Sequence, residues 1–81
     1  MNFIFNIQAQ LSAKKLTITK LTLPRGGNEV DVAIKDISYF IKTDSSGDPR
    51  VQIGDFLAAK DAGAKPEEYM DVRVEEKVFY K

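Results

Sequence analysis

Apolar and polar residues alternate along the beginning of the chain. One phase holds Phe3, Phe5, Ile7, Ala9 and Leu11, and the other holds mostly Asn and Gln. Because successive side chains of a β-strand point to opposite faces, this period of two predicts a strand. Ile4 is apolar on the otherwise polar face, and residues 12–15 are polar enough to form a turn.

The stretch from Leu16 to Lys42 predicts a β-hairpin on which the other strands are laid. Val, Ile, Thr, Tyr and Phe fill most of it, and such side chains suit a pleated, half-buried surface. Its halves are joined by residues 24–28, where Gly26 and Gly27 can adopt the positive φ of a tight reversal. An anion-binding glycine loop would need a helix N-terminus, and an RNA-binding arginine–glycine element normally repeats, so a hairpin tip is the better interpretation.

Each half of the hairpin changes phase part-way along. In the first half, the apolar residues move from even to odd positions near residues 19–20, where a β-bulge is expected. In the second half, the same shift occurs at residues 35–36, and two such bends would curl a sheet towards a barrel. The spacing of Val30, Ile34 and Ile41 also fits a helix, so residues 35–42 are either strand or helical turn.

Turn and helix signals follow the hairpin. Residues 44–49, Asp-Ser-Ser-Gly-Asp-Pro, predict a turn, and residues 51–53 resume as a short strand. A helix of about two turns is expected over 55–62, with Asp55 as its N-cap and Gly63 closing it. Residues 71–81 alternate again and predict a last strand, although Phe79 falls on its charged face.

These elements predict a mainly β domain, with α+β at the margin. We expect a small bent antiparallel sheet or partial barrel of five to six strands, with one short helix at about 55–62. The order of elements resembles the layout of SH3-like small barrels. An OB-like layout fits less well, because its helix follows the third strand. No family motif is matched, so the resemblance implies no functional residue. The expected inner face comprises Phe3, Phe5, Ile7, Leu16, Ile18, Val30, Val32, Ile34, Val51, Ile53, Val72, Val74 and Val78.

Composition favours one soluble globular domain over residues 1–81. The chain is 43% hydrophobic and 30% charged, which separates it from disordered sequences. It has no Cys, so disulfides and thiolate metal sites are excluded. The N-terminus lacks the basic and apolar regions of a signal peptide, and nothing is apolar enough to span a membrane, so we expect a cytoplasmic protein.

The chemistry available to the chain argues against an enzyme. It has no His and no Cys, so the commonest general base, the best nucleophile and the usual zinc ligands are missing. Glu75 and Glu76 are adjacent on a predicted strand and point to opposite faces. Residues 44–48 lack the alternating ligands and closing Glu of a calcium loop, so a turn is the better interpretation. We therefore expect neither a metal nor another cofactor.

Charge is unevenly placed and supports one functional alternative. Residues 1–28 carry four bases and no acid, a net charge of +4, and the remaining eight bases and twelve acids give −4. The two halves can simply neutralise each other across a sheet. Alternatively, the basic half binds single-stranded nucleic acid, as basic grooves with aromatic platforms do, although the sequence pI near 6.2 argues against it. The candidate contacts would be Lys14, Lys15, Lys20, Arg25 and Tyr39.

Three apolar residues indicate a surface that binds another protein. Ile4, Phe40 and Phe79 each lie on the otherwise polar face of a predicted strand, where they could gather into an exposed patch. The alternative is that the short helix covers this face and makes the patch a second layer of the core. We predict a non-catalytic protein-interaction module, such as a small inhibitor, adaptor or assembly subunit, that binds a protein partner or itself.

Overall fold

The chain folds into a five-stranded sheet with two helices on one side. This computed structural model describes residues 3–24 and 27–81. The elements in chain order are α1 (Phe3–Ala13), β1 (Ile18–Thr22), β2 (Glu29–Ile34), β3 (Phe40–Asp44), α2 (Pro49–Asp61), β4 (Tyr69–Asp71) and β5 (Phe79–Tyr80). The predicted class, a small β-rich domain that borders on α+β, is confirmed.

Strand order in the sheet follows the chain, β1-β2-β3-β4-β5. Neighbouring strands are antiparallel except β3 and β4, which are parallel. A parallel pair needs a crossover connection, and α2 provides it. The sheet is therefore mixed, which corrects the antiparallel sheet that we expected and departs from the SH3-like and OB-like layouts.

The core lies between one face of the sheet and the two helices. Its fully buried apolar residues are Ile7, Leu11, Val30, Val32, Ile34, Ile41, Ile53, Phe56, Met70 and Val72. Burial alternates along β2 and β3, so each of these strands turns one face to the helices. Two residues expected inside are instead exposed, Phe5 at 68% and Val74 at 51%.

The predicted hairpin is present, and so is its first bend. β1 pairs with β2 in antiparallel register, and the register shifts between Ile18 and Lys20, where the β-bulge was predicted. Gly27 has a φ of 102°, the left-handed conformation that favours glycine at a reversal. Arg25 and Gly26, at the predicted hairpin tip, lie outside the described residues.

The first segment is a helix, which corrects the predicted strand. Ile7 and Leu11 are four residues apart and both fully buried, whereas Phe5, in the same period-two phase, is exposed. Alternation with period two also places apolar residues at i and i+4, so it is compatible with one helical stripe. The helix is favoured over the strand because its apolar stripe packs against α2. The local sequence pattern does not show that α2 lies there.

The second bend is a chain reversal rather than a bend within one strand. Residues 35–39 connect β2 to β3, and Asp36 adopts a φ of 67°. The apolar residues change from even to odd positions because β2 ends before this connection and a separate antiparallel strand, β3, begins after it. Of residues 35–42, 40–42 are strand, as one alternative had it, whereas 35–39 form a connection that is neither continuous strand nor helical turn.

Helix α2 begins six residues earlier than predicted, at Pro49 rather than Asp55. Asp48 is the N-cap and accepts a hydrogen bond from the Arg50 N–H at 2.8 Å, while Pro49 occupies the first helical position. The expected short strand at 51–53 is thus helical. Gly63, with a φ of 95°, follows the helix end as predicted.

The predicted last strand is also divided. β4 pairs with β3, and β5 folds back antiparallel onto β4. Glu76 lies in the connection with a φ of 61°, so the charged pair at 75–76 marks a turn within the predicted strand.

Candidate functional site: the uncovered face of the sheet

Both helices lie on one face of the sheet and leave the opposite face, here called the open face, without a covering element among the described residues. Its side chains alternate with the core residues of each strand. Those that line it are Lys20 and Thr22 on β1, Glu29, Asp31 and Ala33 on β2, Phe40 and Lys42 on β3, Tyr69 and Asp71 on β4, and Phe79 on β5.

A row of charged residues crosses the centre of the open face. Asp31 lies opposite Lys42, Lys42 opposite Asp71, and Asp71 opposite Phe79. Directly opposed residues on one face are about 5 Å apart at their Cβ atoms, so these charges act on one another. The row places one cation between two carboxylates and ends at an aromatic ring.

An aromatic pair lies beside this row. The ring centroids of Phe40 and Tyr69 are 5.9 Å apart, with an interplanar angle of 39°. The Lys42 Nζ lies 4.3 Å from the Tyr69 centroid and 6.0 Å from the Phe40 centroid, a cation–π arrangement. Lys42 thus turns its ammonium towards the rings, and it forms no ion pair within 4 Å in the described chain.

Arg73 binds two of the acidic groups of the open face. Its Nε and one Nη donate to the Asp71 carboxylate at 2.9 and 2.7 Å, and the other Nη reaches Glu29 at 2.9 Å. Burial alone would raise the Asp71 pKa, but the hydrogen bonds and charge of Arg73 outweigh it and lower that pKa. The same bonds raise the Arg73 pKa, so this cation stays charged.

The pKa of Asp31 is shifted in the opposite direction to that of Asp71. Its Oδ1 is buried and accepts no hydrogen bond from the described residues. Burial raises the Asp31 pKa to about 6, Glu29 raises it further through a hydrogen bond and its charge, and Lys42 and Arg73 only partly offset this. Two carboxylates on either side of Lys42 therefore have pKa values shifted in opposite directions.

A pocket of about 240 Å³ opens on this face, and Asp31 lies in its wall. Its other lining residues are Lys20, Thr22, Ala33 and Phe40. The pocket wall thus combines an aromatic ring, a lysine and a carboxylate, one oxygen of which has no hydrogen-bond partner among the described residues. Such a mixture suits a polar or charged group that also has a flat apolar surface.

The predicted interface residues are divided between the two sides of the molecule. Phe40 and Phe79 both lie on the open face, separated by two strand spacings and by two positions along the strands, or roughly 12 Å. Phe79 is 55% exposed. Ile4 is instead on α1, in a groove with Gln8 and β1, because the first segment is a helix. The proposed alternative, a helix covering this face, is also wrong, since Phe56 is in the core on the other side.

The predicted nucleic-acid contacts do not form one surface in the described chain. Lys14 and Lys15 are exposed in the turn after α1, whereas Lys20 is on the open face. Tyr39 precedes β3 and packs partly against the core, where burial raises its pKa. Arg25 lies outside the described residues.

Two acidic residues of the turn at 44–49 have structural roles. The Asp44 carboxylate accepts hydrogen bonds from the Ser46 N–H and hydroxyl at 2.8 and 2.6 Å, which lowers its pKa and confirms the predicted turn. Asp48 caps α2. Across residues 3–24 and 27–81, no three acidic side chains converge into a group that could hold a metal ion.

Sequence reasoning missed Asp31, Lys42, Tyr69, Asp71 and Arg73 as members of one surface. The signal for two of them was available, because Asp31 and Lys42 occupy the polar phase of alternating strands. The contribution of β4 was hidden, since Tyr69 and Met70 were assigned to no element and Asp71 began the predicted last strand.

Comparisons with protein-family models, curated proteins and solved structures find no match for this chain. No helix of the described chain is long and apolar enough to cross a membrane.

Proposed function

We propose that this protein is a non-catalytic interaction module that binds a protein surface through its open face, in the manner of a small inhibitor, adaptor or assembly subunit. The observation that carries this proposal is that Phe40 and Phe79 lie on the sheet face opposite both helices. A half-buried aromatic and an exposed one on an uncovered sheet are the kind of anchors that protein interfaces use.

The composition of the open face supports protein binding over other roles. Phe40, Tyr69 and Phe79 supply rigid apolar area, and aromatic residues are enriched at interface cores. Arg73 and the acids that it binds supply a polar border whose charges are already arranged by ion pairs. Such a border favours a partner with complementary charges and disfavours others.

The test compares two phenylalanines of similar exposure on opposite sides of the molecule. Phe79→Ser should keep the fold and weaken association at least tenfold, because it removes an interface anchor. Phe5→Ser, at a residue 68% exposed on α1, should change association less than about twofold. Self-association is measured by sedimentation equilibrium, partner binding by capture from a host extract, and folding by circular dichroism. Unfolding of Phe79→Ser, or equal losses in both variants, would contradict the proposal.

One observation favours a second candidate, single-stranded nucleic-acid binding. Lys20 and Phe40 line one pocket, so a phosphate contact and a stacking surface are neighbours. Asp31 lies in the same pocket and Glu29 beside it, and their charges would repel phosphates. We expect negligible oligonucleotide binding at physiological salt. Tight, steeply salt-dependent binding that Lys14→Ala and Lys20→Ala both weaken would reverse this preference.

A further inference from the structure

Asp31, in the wall of the open-face pocket, carries a hydrogen-bond acceptor without a partner among the described residues. Asp31 Oδ1 is buried without a hydrogen-bond partner among the described residues. A buried acceptor left unpaired typically costs about 1–3 kcal/mol, and more when it is charged. Native structures contain few such groups, so each of them calls for an explanation. The Asp31 carboxylate is therefore a candidate contact for a donor from outside the chain.

We propose that the pocket formed by Lys20, Thr22, Asp31, Ala33 and Phe40 receives the guanidinium group of an arginine side chain from the protein partner. This inference rests on the proposed function, because it names the chemistry by which the same face recognises its partner. The guanidinium pairs with the Asp31 carboxylate and lies against the ring of Phe40.

The cations nearest to Asp31 are held elsewhere. Lys42, directly opposite Asp31, has its ammonium 4.3 Å from the Tyr69 ring centroid. Arg73 uses its guanidinium on Asp71 and Glu29. Lys20 lines the pocket diagonally from Asp31 and forms no ion pair with it. Lys42 and Arg73 lower the Asp31 pKa through their charges, but no cation of the described residues forms an ion pair with its carboxylate.

The shape and chemistry of the pocket favour a guanidinium over an ammonium. A guanidinium is planar, offers paired N–H donors to a carboxylate and is weakly hydrated, so it stacks on aromatic rings at little desolvation cost. Phe40 provides the ring in the pocket wall. The terminal torsion of an aspartate is broad, so a modest rotation presents either Asp31 oxygen to the pocket.

Protonation of Asp31 should oppose this binding. The raised pKa of Asp31 means that the carboxyl is largely ionised at pH 7.5 and largely protonated at pH 5. The charged groups around it are Glu29 on its own strand, Lys42 opposite, Lys20 diagonal, and Arg73 with Asp71 beyond. An arriving cation stabilises the ionised form, so binding should strengthen as pH rises through about 6.

The experiment titrates the isotope-labelled full chain with acetyl-Gly-Arg-Gly-amide, and with the same peptide in which uncharged citrulline replaces arginine. We expect a saturable, millimolar interaction for the arginine peptide alone, with amide shifts centred on residues 20, 31 and 40. Asp31→Asn should weaken it at least tenfold, and lowering the pH to 5 should do so several-fold. The control Asp61→Asn, at the exposed end of α2, should change it less than about twofold.

Equal binding of the citrulline peptide, full affinity in Asp31→Asn, or shifts centred away from the pocket would each overturn the inference. A second variant, Lys20→Met, tests the proposal in case Asp31→Asn weakens binding only by changing the structure of the pocket. It removes a like charge from the pocket and should strengthen arginine binding about two- to threefold, so weaker binding would also count against the proposal. None of these results depends on Phe79→Ser, so the arginine pocket can fail while the proposed protein interface stands.

Discussion

Asp31 should make the protein less stable as pH rises, in contrast to most native carboxylates. Its pKa is raised from 3.8 to about 6 in the folded state, so the folded chain holds this proton more tightly than the unfolded chain. The resulting stability is fully present below pH 4 and is lost as pH rises towards about 6. Replacing Asp31 by Asn removes the ionisation and keeps the shape.

The size of the effect follows from the shift. A difference of about two pKa units corresponds to roughly 3 kcal/mol at 1.36 kcal/mol per unit, and solvent screening of this half-buried group reduces it to about 1–3 kcal/mol. We therefore expect Asp31→Asn to be more stable than the wild type by about 1–3 kcal/mol at pH 7.5. The gain should fall below about 1 kcal/mol at pH 4, where the wild-type group is protonated in the folded state.

Asp71 provides the matched control, because it lies across Lys42 from Asp31 with its pKa shifted the other way. A lowered pKa contributes stability above the unfolded value, and that stability is lost as pH falls through the folded one. Asp71→Asn should therefore destabilise the chain at pH 7.5 and less so at pH 4. It also leaves Arg73 with one carboxylate partner fewer.

Urea unfolding of the three proteins at both pH values, followed by circular dichroism, measures these free energies. Carbon NMR of the Asp31 carboxyl gives its pKa directly. Equal effects of Asp31→Asn on the free energy of unfolding at pH 4 and pH 7.5 would contradict a raised Asp31 pKa. Changes of the same sign for the two substitutions at pH 7.5 would contradict the opposite pKa shifts of Asp31 and Asp71.

Three further substitutions test helix α2 and the residue after its C-cap. The buried Gln52 side chain accepts a hydrogen bond from the Asp44 N–H at 2.7 Å and donates one to the Asp44 carbonyl at 2.9 Å. Gln52→Ala should therefore lower the free energy of unfolding in urea by about 2–3 kcal/mol. A loss below about 0.5 kcal/mol would show that water replaces both bonds. Gly54→Ala should stabilise the chain by about 0.5–1 kcal/mol, because it lies within α2 with open space at its Cβ position. Gly63→Ala should destabilise it by about 1 kcal/mol, since its φ is 95°. Shifts of the same sign in thermal scans of the two glycine variants would contradict the assignment of these two backbone conformations.

Local signals in the sequence were sufficient where a residue type dictates a backbone conformation. The bulge near Lys20 follows from the change of apolar phase, and the reversal at Gly27 and the end of α2 at Gly63 follow from the freedom of glycine at positive φ. The start of α2 could also have been read locally, because Asp48 followed by Pro49 is a strong helix start. The apolar residues at 51 and 53 favour a strand by their spacing, which moved the predicted helix start to Asp55.

The candidate site was only partly predictable. Phe40 and Phe79 were expected on a polar face, and the structure places both on the open face. Asp31, Lys42 and Asp71 became one row only through the parallel pairing of β3 and β4, which joins segments about 30 residues apart in the chain. Ile4 does not belong to this surface, because its segment forms a helix and not the predicted strand.

The alternating pattern of Val30, Val32 and Ile34 determined from the sequence alone which side of β2 faces the core, because a strand has no other way to bury every second side chain. The conformation of residues 3–13 was decided by tertiary structure. Their apolar residues satisfy both a strand and a helical stripe, and the difference in free energy comes from burying Ile7 and Leu11 against α2. That same packing places both helices on one side of the sheet and leaves the other face uncovered by any described residue. The local sequence pattern could not predict this, because it depends on contacts between distant segments.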